Sequence, residues 1–167
     1  MNVELFVSGW EIECCAPPPV IGASTTWTLQ HVAATDPFPM HELDRVRTWR
    51  AESTRLVDGP IVVMPSHDGP PLQPGWHELR GHLSGTRHGP MPEEFPETTG
   101  TVQRVRVVSL RRTLGEPRTW HAVPGTLTMT DVRESPRWFT SDRGAKTDHT
   151  SQEGVLLDIA VPELISS

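Results

Sequence analysis

The chain has 167 residues, with 17 prolines, 13 glycines and no tyrosine, a composition that points to a turn-rich rather than a helical fold. Its net charge of -6 opposes non-specific binding to nucleic acid or to an anionic membrane, and no apolar run approaches membrane-spanning length. The length suits one β-rich domain over 1–167, or two small β units sharing a core, that folds without staples.

Val3, Leu5 and Val7 alternate with Glu4, Phe6 and Ser8, and after Gly9 a second alternation sets Trp10, Ile12 and Cys14 against Glu11, Glu13 and Cys15. Period two over this span predicts strand, with Gly9 marking a bulge or bend. Pro17, Pro18 and Pro19 supply no amide donors and stop the strand, and a turn through Gly22 follows. Thr25, Trp27 and Leu29 then alternate with Thr26, Thr28 and Gln30 as a half-buried strand.

On such a strand Cys14 faces the core beside Ile12 while Cys15 faces out with Glu13, so the pair is poorly placed to share an ion, and a bond between neighbours is not expected. Metal spacing of the Cys-x-x-Cys kind is absent, and there is no third cysteine. The N-terminal residues show no basic segment leading into an apolar run, so a reducing, cytoplasmic setting is expected.

Residues 35 to 52 predict a short helix, with Thr35 or Asp36 as cap, Pro37 in the first turn, and Met40, Leu43, Val46 and Trp49 as a drifting apolar stripe. Leu56 and Val57, then Ile61 to Met64, flank Asp58, Gly59 and Pro60 and read as two short strands about a turn. The loop from Pro65 to Pro74 carries His67 and Asp68, adjacent residues that read as solvated loop rather than as a catalytic pair. Trp76 to Gly85 is a strand, and a loop from Pro90 to Thr99 with Glu93, Glu94 and Glu97 leads to another from Gly100 through Leu110. These two are expected to pair antiparallel. Both faces of the second are mixed, which predicts a bulge or a strand whose ends meet different surroundings.

Arg104, Arg106, Arg111, Arg112 and Arg118 face only Glu116 between residues 101 and 118, a local basic patch that would suit phosphate. No aromatic residue interleaves the arginines to stack a base, so nucleic acid is an unfavoured partner, and the acidic loop at Glu93 to Glu97 is a candidate to neutralise the patch. Trp120, Val123, Leu127 and Met129 add short strands, and residues 141–153 read as a mobile loop nearly devoid of apolar side chains. Val155, Leu157, Ile159 and Val161 form a final strand, apolar enough to require pairing within the sheet.

The string Trp10-x-x-x-Cys14-Cys15, followed by Pro18, Gly22 and Trp27-x-Leu29, resembles the opening of a family of short uncharacterised proteins from actinomycete bacteria. His88-Gly89 followed by Thr99-Gly100-Thr101-Val102 is similar to a second landmark of that family. Ala16, Pro19 and Ala23 depart from the Gly, Phe and Asp of its pattern. The resemblance covers about a third of the chain and implies no activity, since the family has none assigned.

The expected fold is therefore mainly β, a small antiparallel β-barrel or sandwich with one short helix. Among eight histidines there is no His-Glu-x-x-His, no Gly-x-Ser-x-Gly elbow and no phosphate-cradling glycine loop, so no cofactor is indicated. The expected function is a binding or interaction module for a protein or small-molecule partner, with Arg104, Arg106, Arg111, Arg112 and His88 as ligand-binding candidates. The alternative is a small thiol- or metal-dependent enzyme using Cys14 or Cys15 with His31, His82 or His88, in which Cys14, Cys15, His82 and His88 are the metal candidates. Phosphate or nucleic-acid binding through the arginine patch is a further alternative, and an unpaired edge strand leaves homodimerisation open.

Overall fold

The computed structural model of the chain describes residues 1–34, 40–65, 70–89, 91–141 and 148–163. In order along the chain these form β1 (Asn2–Ser8), α1 (Gly9–Cys14), β2 (Ser24–Ala33), a 3-10 turn (His41–Leu43), β3 (Arg45–Glu52), β4 (Arg55–Asp58) and β5 (Ile61–Met64). There follow β6 (Gly75–Thr86), β7 (Thr98–Gly115), β8 (Thr119–Ala122), β9 (Thr128–Val132) and β10 (His149–Ala160). The mainly β class is as expected, and no described helix is long and apolar enough to cross a membrane.

All the strands belong to one sheet, and its pairings close two circuits. β7, β10, β1, β6 and β2 form the first, which closes where Ser24 to Trp27 of β2 pair with Thr98 to Thr101 of β7. β6, β3, β4, β5 and β2 form the second. The circuits share β2 and β6, which run antiparallel with Leu29 opposite Gly85 and His31 opposite Leu83.

Alternation places the core. Val3, Leu5 and Val7 of β1, Trp27 and Leu29 of β2, Trp49 and Ala51 of β3, and Val155, Leu157 and Ile159 of β10 all pack into one continuous cluster. Phe6 and Leu156 point the other way, joining Met40, Leu43, Val108 and Leu110 in a second cluster outside the first circuit. β1 and β10 are therefore covered on both faces, which is why their sequences run so apolar.

The long β7 behaves as its mixed faces suggested. One edge pairs with β10 along most of its length, with register shifts at Gln152/Gly154 and Asp158/Ile159, while the other is taken in turn by β2, β9 and β8.

Four sequence expectations are overturned. The segment from Gly9 to Cys14 is helical, and Phe139 packs against Gly9, its nearest ring atom 2.8 Å from where an added Cβ would lie. The buried residues Gly9, Ile12 and Ala16 then follow helical spacing, and Cys14 and Trp10 face solvent instead of the core. The helix expected over 35–52 is replaced over Arg45–Glu52 by β3, whose Trp49 and Ala51 face inward; residues 35–39, with the proposed caps, lie outside the described residues. β6 and β7 do not pair with each other but each pair with β2, so the loop between them crosses from one side of β2 to another partner rather than forming a hairpin. The loop expected over 141–153 is shorter, since β10 begins at His149 and His149 to Gln152 already pair with β7. Residues 142–147, like His67 and Asp68, lie outside the described residues.

Candidate functional site

α1 ends at Cys14, and the amide of Cys15 still donates to Glu11 O at 3.1 Å, so the last turn holds both cysteines. Against the expectation that neighbours would not bond, their Sγ atoms are joined as a disulfide, with Cα atoms 3.7 Å apart and both residues exposed, because the segment is the end of a helix rather than a strand that sends them to opposite faces. A ring nitrogen of His88 and the two Sγ atoms lie within 4.8 Å of one another.

His88 is held from below. Its Nδ1 is 3.2 Å from Glu11 Oε2, a carboxylate whose side chain is only 6% exposed against 44% for the imidazole. Glu11 also accepts from the Thr86 hydroxyl at 2.5 Å and from the Arg87 amide at 3.2 Å, while the His88 amide donates to Thr86 Oγ1 at 3.1 Å. A buried carboxylate requires such donors, and here they come from the end of β6. With Nδ1–H given to Glu11, the free imidazole nitrogen, Nε2, is the acceptor. Trp10 stands edge-on to His88 with ring centroids 5.7 Å apart, leaving 56% of its own surface to solvent.

The segment after β9 fixes the other side of the helix. Arg137 Nη1 donates to Ala16 O at 3.0 Å, the Phe139 amide to Glu13 Oε1 at 2.9 Å and the Ser135 amide to Pro19 O at 2.8 Å. The proline run is thus tied down through its carbonyls, the only backbone hydrogen-bonding groups it offers.

Of the sequence candidates, the structure brings together Cys14, Cys15 and His88. Trp10, Glu11 and Thr86 complete the site and were not among them. Helical spacing was the available signal: Glu11 lies three and four residues before the cysteines, on the same side of a helix but on mixed faces of a strand.

His31 and His82 belong to a separate, buried cluster at the shared strands. His82 Nδ1 lies 3.0 Å from Asp44 Oδ1, His41 Nδ1 lies 3.2 Å from Asp44 Oδ2, and His31 packs edge-on to Trp49. A cavity of about 80 Å³ lies beside them, lined in part by Glu4, Arg45, Arg47 and Trp49. Gly81 permits this approach, since a Cβ there would fall 2.1 Å from Val32 O and 2.8 Å from the His31 ring. Burial, and then the neighbouring His82, push the His31 pKa below its ordinary value of 6.5, with Asp44 opposing. A group whose folded pKa is depressed adds stability above the unfolded pKa and loses it as pH falls. Unfolding free energy measured in urea should therefore drop as pH is lowered through 6.5. The slope contributed by this one group stays below about 1.4 kcal/mol per pH unit, and His31→Gln should remove that part of the slope.

Residues 1–161 match a family of unknown function, DUF6578. The chain belongs to this family. No curated protein and no solved structure matches it.

In this DUF6578 chain four of the five arginines of the patch, Arg104, Arg106, Arg111 and Arg112, are paired with carboxylates. Arg104 grips Asp131 through two bonds at 2.6 and 2.9 Å, and that hydrogen-bonded contact raises the arginine pKa and lowers the aspartate's. Arg106 reaches Asp158 at 2.5 Å and Glu4 at 3.2 Å, Arg111 reaches Asp148 at 3.4 Å and Arg112 reaches Glu153 at 2.8 Å. The carboxylates come from β1, β9, β10 and the residue preceding β10, not from the acidic loop as expected, because β7 pairs with β10 and β9 rather than β6. Glu93, Glu94 and Glu97 instead line a hollow of about 610 Å³ with Thr28, Thr86 and Arg87.

Proposed function

We propose that Cys14 and Cys15 form a dithiol–disulfide couple that exchanges two electrons with substrate dithiols and disulfides. His88 carries the proton, and Glu11 positions His88. The observation that supports this reading is an imidazole with a ring nitrogen within 4.8 Å of both sulfurs and its Nδ1 3.2 Å from a buried carboxylate.

The chemistry follows from that arrangement. A substrate thiol gives its proton to His88, and the thiolate attacks one Sγ; the sulfur–sulfur bond breaks, the second cysteine leaves as thiolate and takes the proton from the imidazolium. The remaining substrate thiol then attacks its own sulfur in the mixed disulfide, releasing the first cysteine as a thiol by the same proton route. The substrate leaves as a disulfide and the protein holds the dithiol, two electrons and two protons richer. Reversal oxidises the pair. Both sulfurs are exposed, as an incoming thiolate requires, and the Trp10 ring offers an apolar surface beside them.

The test is alkylation of the native protein equilibrated across a series of dithiothreitol ratios, with the added mass read by mass spectrometry. The expected result is a single two-electron transition between a species that takes no label and one that takes two. Thiols that label fully at every oxidising ratio, or a disulfide that labels only after denaturation, would rule the couple out.

A further inference from the structure

We infer that the reduced site is also a metal site: Cys14 Sγ, Cys15 Sγ and a nitrogen of His88 together hold one thiophilic divalent cation of the zinc class, and oxidation of the cysteines closes it. This rests on the couple proposed above, because the disulfide form offers no thiolate.

The donor atoms already converge. They lie within 4.8 Å of one another, and a tetrahedral ion with sulfur ligands at about 2.3 Å and a nitrogen at about 2.0 Å needs them roughly 3.3 to 3.8 Å apart. Breaking the sulfur–sulfur bond allows the two Sγ atoms to separate towards that spacing by side-chain rotation alone. The surroundings match as well. A metal-bound histidine ordinarily donates its other ring N–H to a carboxylate, which fixes the tautomer and strengthens the donor, and Glu11 stands in that place at 3.2 Å from Nδ1. Glu11 is itself fixed by Thr86 and the Arg87 amide, so it cannot swing out to become a ligand without losing both.

The Arg87 side chain turns away, with Nη2 3.4 Å from Thr26 O and its guanidinium 5.1 Å from the centre of the Trp27 ring. Two thiolates and an imidazole are soft and borderline donors, which select zinc-like ions over magnesium or calcium. With three protein ligands and an exposed rim, a fourth position faces solvent, so the ion would be exchangeable rather than structural. Loading releases two thiol protons. Oxidation by a disulfide then expels the ion: two thiolates give two electrons, one sulfur–sulfur bond forms, and the incoming disulfide leaves as two thiols.

The experiment titrates the full chain with Co²⁺, then displaces it with Zn²⁺, in a phosphine reductant that does not itself ligate as a thiol. Protein oxidised to the disulfide is run alongside. The expected result is one Co²⁺ per reduced chain with a thiolate-to-cobalt charge-transfer band, displaced by Zn²⁺, and no such band from the oxidised form. Cys14→Ser and Cys15→Ser should abolish the band, and Glu11→Gln should weaken affinity by about 10- to 100-fold with both cysteines intact. Two alkylatable thiols that bind no cobalt would overturn the metal site and leave the redox couple standing. Cobalt binding by protein whose cysteines never form a disulfide would overturn the couple and the proposed closure. Cobalt retained without the charge-transfer band, or unaffected by the cysteine substitutions, would place the ion on other histidines and overturn the assignment.

Discussion

His88→Ala slows reduction of the Cys14–Cys15 disulfide by a dithiol by about 10²- to 10⁴-fold near neutral pH, the range that a positioned acid–base group contributes. The disulfide itself still forms, since His88 reaches the sulfurs without being bonded to them. The loss is of proton transfer, so added imidazole should restore part of the rate in His88→Ala and none in the wild type. Cys14→Ser and Cys15→Ser mark the limit: neither completes exchange, and one of them should accumulate the mixed disulfide that identifies the sulfur attacked first. Glu11→Gln tests positioning. The Thr86 hydroxyl and the Arg87 amide reach different carboxylate oxygens, so the single oxygen of the new amide serves only one of them, and the carboxylate that balances an imidazolium is gone; the rate should fall while the thiol count stays at two. An unchanged exchange rate in His88→Ala would remove the histidine from the mechanism.

Trp27→Ala costs about 3–5 kcal/mol of unfolding free energy, a large share of the 5–15 kcal/mol typical of a single domain. Trp27 is 1% exposed and lies on β2, one of the two strands common to both circuits. A Cβ added at Gly85, which pairs with Leu29, would come 3.2 Å from the Trp27 ring, so the backbone is already packed closely against the indole and has little room to move in when it is removed. Arg87 loses the face it stacks on, which loosens the turn that supplies the Arg87 amide to Glu11. Trp27→Phe should cost less, because it retains an aromatic plane and discards an indole N–H that has no hydrogen-bond partner. Urea unfolding at fixed redox state gives both values, and a Trp27→Ala protein within 1 kcal/mol of wild type, on the order of a surface change, would contradict the packing described.

The strands were legible where burial was regular. Val3, Leu5 and Val7 announce β1, Thr25, Trp27 and Leu29 announce β2, and Asp58 to Pro60 mark the turn between β4 and β5, because each depends only on side chains alternating about a local backbone. Gly9 to Cys14 misled for a physical reason. Six residues are too few for periodicity to separate helix from strand, and the packing partner of Gly9, Phe139, is far away in sequence. Everything about the site followed from that segment: as a strand it sends the cysteines to opposite faces, whereas the helix ends at Cys14 and leaves both cysteines exposed beside His88. His88 was a named candidate, whereas Glu11 was not, since a lone glutamate reads as solvent-facing until the donors that bury it are known. The arginine patch shows the same limit from the other side. Its charge is local in sequence, and its partners Glu4, Asp131, Asp148, Glu153 and Asp158 are brought to it only by strand pairing.

The shared strands also set an order in time. β2 to β6 span residues 24 to 86 without interruption, so the second circuit can close as soon as that stretch has left the ribosome. The first circuit has to wait for β10, which lies between β1 and β7 and packs beneath α1. Until residues 149 to 160 are made, α1 has no floor, although Phe139, which packs against Gly9, has already been added. The cysteines are synthesised well before β10 and set in place only after it, and during that interval they are open to any oxidant or metal that the nascent chain meets.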